Sequence, residues 1–248
     1  MGETDSLDGE TVLVTGASAG IGRETAKQVA AAGGNVTLTA RREERLNELA
    51  EELEAEYDTE TLVVPADVRD SDAVESVVDE TVDRFGGLDV AVCNAGLGVG
   101  QQVEELTDDE YHLMMDVNTD GVFFTARESI PHLRDSGGNI VFVGSFAGQY
   151  PRPFNPVYAA SKAWVRSFAH SLEAQVGGDG VGISVINPTE VRTEFGHQDG
   201  EPMKDKVDSD EASDPADIAE AILFAATRES PNTVSELDLY RRDKFAHF

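Results

Sequence analysis

The chain has 248 residues, and 19 Lys and Arg residues against 48 Asp and Glu residues give a formal net charge of −29. This length suffices for one large α/β core, so we expect a single domain over residues 1–248. So negative a surface repels phosphate backbones and anionic lipid, which argues against nucleic acid or a membrane as a partner. Cys93 is the single cysteine, which excludes an intramolecular disulfide and a thiolate zinc site.

The distribution of apolar and charged residues predicts where the protein works. No apolar run approaches the roughly 20 residues of a membrane-spanning helix, and the acidic N-terminal sequence is unlike a secretory signal, so we expect a cytoplasmic protein. The negative charge is spread along the chain and lysine is scarce, which favours a surface adapted to high salt, as in a halophile, over a specific cationic partner. The five histidines show no ligand spacing, and no metal is predicted.

Short apolar runs alternate with longer segments of helical period from residue 11 to residue 240, which is a βαβ pattern. The predicted strands are residues 11–15, 35–40, 61–65, 88–93, 139–144, 182–187 and 234–240. The predicted helices are residues 20–32, 42–57, 71–85, 108–133, 156–176 and 214–227, with N-caps at Thr107 and Asp214. Because the strand runs are continuously apolar, we expect a single doubly wound, seven-stranded parallel sheet of Rossmann type with helices on both faces.

Strand 1 ends in a turn that contains Gly16, Gly20 and Gly22, and a helical pattern begins there. Glycines at a strand-to-helix turn let backbone N–H groups and the positive helix end approach a pyrophosphate without a Cβ in the way. Ser18 and Ile21 belong to the same turn and to the predicted dinucleotide site. On this spacing alone, a tight structural turn remains the alternative.

Strand 2 ends where a carboxylate would accept the ribose 2′-hydroxyl of NAD, but this position is Ala40, and Arg41 and Arg42 follow it. Paired guanidinium groups bind a phosphate dianion through several N–H donors, so the sequence predicts NADP as the cofactor. A solvated first turn of a helix is the alternative, although adjacent arginines are unexpected in so acidic a chain.

Strands 3 and 4 are each followed by residues suited to a ligand site, because open α/β sheets bind ligands at the carboxyl ends of their strands. After strand 3, Asp67 is placed to accept a hydrogen bond from the adenine amino group, and Val68 lies beside it. After strand 4 come Asn94, Ala95 and Gly96, with Asn94 placed to brace the floor of the crevice. Taken singly, each feature is equally consistent with ordinary turn chemistry.

Ser145 follows strand 5, and Tyr158 and Lys162 lie four residues apart on the next predicted helix, hence on one face. A nearby ammonium group favours the phenolate and lowers the phenol pKa, so Tyr158 is suited to exchange a proton with a carbonyl–alcohol pair. Ser145 is placed to hydrogen-bond the same oxygen. For the Tyr–Lys spacing alone, an ordinary amphipathic surface is the alternative.

Together and in this order, the motifs resemble the short-chain dehydrogenase/reductase family over nearly the whole chain. They are TGASAGIG at 15–22, NAG at 94–96, Asn118, Ser145, YAASK at 158–162 and NPTEVRT at 187–193. The resemblance implies that Tyr158 is the general acid/base and that Ser145 orients the substrate oxygen. It implies that Lys162 holds the nicotinamide ribose and lowers the tyrosine pKa, and that Asn118 supports a water on the proton path. It also adds four residues to the cofactor site: Pro188, Thr189, Val191 and Thr193.

Three further segments are similar to NADP-dependent 3-hydroxy acid dehydrogenases and related broad-specificity alcohol dehydrogenases. They are ARREERL after strand 2, VYAASKAWVRSF, and the stretch from PADIAEAI to PNTVSELDLYRR. They imply hydride transfer between nicotinamide C4 and a secondary alcohol or ketone, with a 3-hydroxy acid as a candidate substrate, in a homotetramer. Thr189 and Cys93 depart from the family's usual glycine and asparagine. Residues 189–213 are predicted to form a lid, and Arg152 or Arg192 is a candidate partner for a substrate carboxylate. The alternatives are a non-catalytic NADP(H) sensor or interaction protein, and an acyl-thioester ketoreductase, which would need a basic docking patch.

Overall fold

The computed structural model describes residues 6–195 and 212–245, which contain one seven-stranded sheet. Neighbouring strands are parallel, and their order is β3-β2-β1-β4-β5-β6-β7. The strands are β1 Thr11–Thr15, β2 Asn35–Thr39, β3 Thr61–Val63, β4 Val90–Cys93, β5 Asn139–Val143, β6 Gly182–Pro188 and β7 Glu236–Leu239. The predicted fold class is confirmed. The edge strands β3 and β7 are shorter than expected, because each pairs with a neighbour on one side and the ladder ends early.

Seven α-helices surround this sheet within the described residues. They are α1 Gly20–Ala31, α2 Glu43–Glu56, α3 Ser71–Phe85, α4 Asp108–Met115, α5 Gly121–Ser136, α6 Pro156–Val176 and α7 Pro215–Ala226. Thr107 and Asp214 cap α4 and α7, as predicted, and both form capping boxes. None of the helices in 6–195 and 212–245 is both long and apolar enough to cross a membrane.

The single helix expected over residues 108–133 is interrupted. A π-helical turn, Asp116–Asp120, separates α4 from α5, and α5 continues through Pro131 to Ser136. Apolar residues recur on both sides of the turn, so periodicity gave no sign of it. The wider π-helical turn directs the Asn118 side chain into the interior, where it is fully buried.

Two apolar clusters cover the two faces of the sheet. Helices α1, α2 and α7 pack on one face, and α3, α5 and α6 on the other. In β1, Val12 and Val14 join the first cluster and Leu13 joins the second, because successive strand residues point to opposite faces. Strand order reverses between β1 and β4, so the connections leaving their carboxyl ends diverge and open a crevice there.

Candidate active site

A cleft of about 400 Å³ lies at the carboxyl ends of the strands. Most of the predicted site residues line it: Gly16, Ser18, Gly20, Ile21, Arg41, Arg42, Asp67, Val68, Asn94, Ala95, Gly96, Ser145, Tyr158, Lys162, Pro188, Thr189, Val191 and Thr193. Gly22 and Asn118 lie behind this lining. Of the predicted lid, residues 196–211 lie outside the described part of the chain.

The glycine turn after β1 leaves no room for side chains. Gly16 has a φ of +69°, and a Cβ there would lie 2.8 Å from Asn94 Nδ2. A Cβ on Gly22 would lie 2.5 Å from the same nitrogen. Asn94 Nδ2 donates to the Thr15 carbonyl oxygen at 2.8 Å and so braces the turn. This bare cradle at the start of α1 fits the pyrophosphate of a dinucleotide.

The arginine end of the cleft carries three guanidinium groups and one carboxylate. Arg42 donates to Ser18 Oγ through Nε at 3.1 Å and Nη2 at 2.9 Å, and to Glu194 Oε2 through Nη1 at 2.9 Å. Arg45 Nη1 donates to the same oxygen at 2.7 Å, and Arg41 also lines the cleft. Hydrogen bonds from Arg42 and then Arg45 lower the pKa of Glu194 to about 2. The donor set matches the phosphate on the ribose of NADP.

Asp67 lines the cleft but already has a cationic partner. Its Oδ2 accepts from Arg69 Nη2 at 2.6 Å and from Nε at 3.0 Å, and this pairing is the main reason why the pKa of Asp67 is lowered. Its predicted contact with adenine stays a prediction. Thr189 Oγ1 is buried and has no hydrogen-bond partner among the described residues, so it fits a polar group of a bound ligand.

Ser145, Tyr158 and Lys162 meet at the other end of the cleft. The Ser145 hydroxyl lies close enough to Tyr158 to lower its pKa, and Ser145 Oγ accepts from the Ala147 backbone N–H at 3.1 Å. Lys162 lies one helical turn beyond Tyr158 on α6, with Nζ 6.0 Å from the tyrosine ring centroid. Nζ donates to the Val143 carbonyl oxygen at 2.8 Å.

Burial sets the proton affinities of this pair. It raises the pKa of Tyr158, while the Ser145 hydrogen bond and the charge of Arg152 act in the opposite direction. It also lowers the pKa of Lys162 to about 8. This differs from the lowered tyrosine pKa that we expected from Lys162, because desolvation outweighs the opposing effects and penalises the charged form of each group.

Asn118 supports the site from behind. Its Oδ1 accepts from the Leu97 backbone N–H at 2.9 Å, and its Nδ2 donates to Leu97 O at 2.8 Å and Ser161 Oγ at 3.0 Å. Its amide side chain therefore ties the segment after β4 to α6. The predicted water-supporting role of Asn118 stays a prediction.

The sequence reasoning did not single out several residues of the cleft, although Glu190, Glu194 and Phe195 lie within the predicted lid. Phe195 packs edge-on against Tyr158, with ring centroids 5.4 Å apart, and Phe154 and Glu190 add to the wall. Glu194 contacts Arg42 across 152 sequence positions, so no local pattern pointed to the pair. Arg45 lies one helical turn after Arg42, and this spacing was the available signal.

Comparison with known proteins agrees with this geometry. A family model for short chain dehydrogenases matches residues 10–204. The chain is 38% identical to sulfoacetaldehyde reductase 2 of Chromohalobacter salexigens over 93% of each chain. It is 34% identical to an NADP-dependent 3-hydroxy acid dehydrogenase of Schizosaccharomyces pombe, covering 90% of this chain and 88% of that one. An alcohol dehydrogenase from Thermococcus sibiricus, solved with 5-hydroxy-NADP, superimposes with a TM-score of 0.86 at 30% identity, covering 93% and 95% of the two chains.

The chain belongs to the short-chain dehydrogenase family. It is an oxidoreductase that uses NADP and interconverts alcohols and carbonyl compounds. Its relatives are dehydrogenases and reductases, which favours catalysis over the non-catalytic binding protein considered as an alternative.

Proposed function

We propose that the enzyme transfers hydride between NADP(H) and a short hydroxy or oxo acid, whose acidic group binds Arg152. The observation that carries this proposal is the Arg152 guanidinium at the catalytic end of the cleft, which has N–H donors that are not hydrogen-bonded to the described residues. The side chain of Arg152 is 17% exposed, and its recorded hydrogen bond joins Nη2 to Glu190 Oε1 at 3.3 Å. Nε and Nη1 have no partner among the described residues, and the charge lies close enough to Tyr158 to influence its pKa.

A second cation leaves Arg152 available to a substrate. Lys244 Nζ donates to both oxygens of Glu190, at 2.6 and 2.7 Å, so Lys244 already balances the charge of Glu190. The three groups together keep a net positive charge beside Tyr158. A carboxylate or sulfonate would accept hydrogen bonds from the remaining donors of Arg152.

Short substrates fit this end of the cleft better than long ones. Phe195 lies on one side of Tyr158, and a Cβ on Gly98 would lie 2.9 Å from the Phe195 ring and 3.2 Å from the Tyr158 ring. The ring of Phe154 lines the cleft, with the Arg152 guanidinium 5.7 Å from its centroid. These contacts favour a small oxo group held next to a fixed cation.

The proposed chemistry divides between cofactor and protein. NADPH supplies the hydride. Tyr158 Oη donates a proton to the substrate oxygen during reduction, and its raised pKa keeps the phenol protonated at neutral pH. Ser145 Oγ orients the same oxygen, Lys162 binds the nicotinamide ribose, and Asn118 completes the proton path.

We propose that Gly22, behind the lining, and the remaining cleft residues hold the cofactor: Gly16, Ser18, Gly20, Ile21, Arg41, Arg42, Asp67, Val68, Asn94, Ala95, Gly96, Pro188, Thr189, Val191 and Thr193. The bare glycine cradle supports the pyrophosphate position, and the arginine cluster supports the 2′-phosphate position. The buried Thr189 hydroxyl supports a polar contact beside the catalytic end.

The test is Arg152→Met, assayed by NADPH oxidation with acetoacetate, sulfoacetaldehyde and neutral butanone. We expect kcat/KM for an anionic substrate to fall about ten- to a hundredfold, the size of a hydrogen bond between charged groups, with little change for butanone. Comparing the two anions separates carboxylate from sulfonate preference. Arg127→Met, on the exposed face of α5, is the matched control. Equal losses for charged and neutral substrates would overturn the assignment of Arg152.

We propose further that the chain acts as one domain and works in the cytoplasm, where the NADP(H) that it requires is available.

We also propose that it forms a homotetramer. Trp164 on α6 stacks on Phe168 at 4.8 Å and Phe123 on α5 lies 6.3 Å from the same ring, which forms a partly exposed aromatic patch. Phe224 on α7 is 43% exposed and supports a second contact surface. The net charge of −29 supports adaptation to high salt.

A further inference from the structure

Residues 193–195, which follow β6 after four intervening residues, span the cleft from its phosphate end to its catalytic end. Thr193 covers the glycine turn, because a Cβ on Gly20 would lie 2.9 Å from Thr193 Cγ2. Glu194 binds Arg42 and Arg45, and the next residue, Phe195, packs on Tyr158. A single short segment therefore contacts both ends of the site.

The carboxylate of Glu194 lies where the 2′-phosphate of NADP would add a second negative charge. Its carboxylate shares the Arg42 guanidinium with Ser18, and Arg41 and Arg42 are the cleft cations suited to the 2′-phosphate. The side chain of Glu194 is 31% exposed, so water reduces its interactions without removing them. Because the arginines hold its pKa at about 2, Glu194 stays ionised throughout the neutral pH range.

We propose that Glu194 competes internally with the 2′-phosphate of NADP for Arg42. The phosphate gains Nη1 of Arg42 as Glu194 gives up its 2.9 Å hydrogen bond to that atom, while Arg45 keeps its own bond to Glu194. Glu194 therefore weakens the binding of NADP and narrows its advantage over NAD, which has no 2′-phosphate. This inference rests on the use of NADP and is independent of the substrate proposed above.

The test measures ligand binding rather than turnover, by calorimetry on the whole protein with 2′,5′-ADP and 5′-AMP. These two ligands differ by the phosphate in question. We expect Glu194→Gln to bind 2′,5′-ADP about three- to fivefold more tightly, which is the size of a partly exposed charge interaction, and to bind 5′-AMP as before. The gain shrinks as salt rises, because the charges are screened.

Two further variants keep the result interpretable. Glu43→Gln removes a charge from the first turn of α2 without a recorded side-chain contact to Arg42, so we expect no comparable gain. Arg42→Gln should weaken 2′,5′-ADP binding and leave 5′-AMP unchanged. An unchanged affinity for 2′,5′-ADP in Glu194→Gln would overturn the proposal. A weaker affinity would also overturn it, because Glu194 would then orient Arg42 for the phosphate.

Discussion

Burial moves Tyr158 and Lys162, the proposed catalytic pair, toward their neutral forms. The raised pKa of Tyr158 and the pKa of about 8 of Lys162 have the same cause, removal of each side chain from water. A protonated phenol is a proton donor as it stands, which suits the proton transfer proposed above for reduction. Lys162 remains mainly cationic below pH 8, and its bond to Val143 O fixes the position of Nζ.

The proposed role of the Tyr158 hydroxyl predicts what happens when that hydroxyl is removed. Tyr158→Phe keeps the ring that packs on Phe195 but loses the proton donor, so we expect activity to fall by about 10²-fold or more, the scale of a positioned general acid. The Kd for NADP, measured by calorimetry, should change little. Tyr111→Phe, which alters an exposed phenol on α4, serves as the control. Substantial residual turnover in Tyr158→Phe would place the proton transfer elsewhere.

At the scale of elements, the edge strand β7 is linked to Ser145 through hydrogen bonds. Glu236 on β7 accepts hydrogen bonds from Arg166 at 2.6 and 2.8 Å and from Asn187 Nδ2 at 2.7 Å. Asn187 Oδ1 in turn accepts from the backbone N–H of Ser145 at 3.2 Å. The end of the sheet therefore helps to hold the turn that carries Ser145.

The pKa of Glu236, lowered to about 2 chiefly by Arg166, makes this network sensitive to acid. Since the folded-state value lies below the ordinary value of 4.5, the stabilisation is present above that pH and is lost as the pH falls toward 2. We expect Glu236→Gln to lower the free energy of unfolding in urea near neutral pH, with a difference that shrinks as the pH falls from 4.5 toward about 2. Glu229→Gln, at an exposed carboxylate, is the control; a pH-independent difference would contradict the linkage.

Particular elements show what the sequence could predict. Both bounds of α3 were predicted as observed, because Asp70 caps its start and Gly86, with a φ of +86°, ends it. The glycine turn could also be predicted, because the residues that form it lie in one continuous stretch of the sequence. The link between Asn187 and Glu236 joins positions 49 apart, one of them on an edge strand. Such a contact depends on how strands align in space, which local patterns do not record.

At the scale of the whole molecule, cations converge on the cleft of a strongly acidic chain. Its lining includes Arg41 and Arg42 at one end and Arg152 and Lys162 at the other, while the formal net charge is −29. Asp67, Glu190 and Glu194 also line the cleft, but the four cations outnumber these carboxylates, which suits the anionic cofactor and the anionic substrate proposed above. Elsewhere, excess negative charge opposes both compact folding and the approach of a second subunit.

Because of that repulsion, we expect the stability and the assembly of the protein to depend on salt. The screening length falls from ~30 Å at 0.01 M salt to ~3 Å at 1 M, so added salt weakens repulsion within and between subunits. We expect the melting temperature and the tetramer fraction to rise together across this range, as measured by thermal melts and sedimentation. Trp164→Glu, which adds charge to the aromatic patch on α6, should reduce association more than it lowers the melting temperature of the dissociated chain. A melting temperature that stays flat between 0.01 M and 1 M would contradict adaptation to high salt. A protein whose negative charge serves a specific cationic partner would instead lose that partner as salt rises.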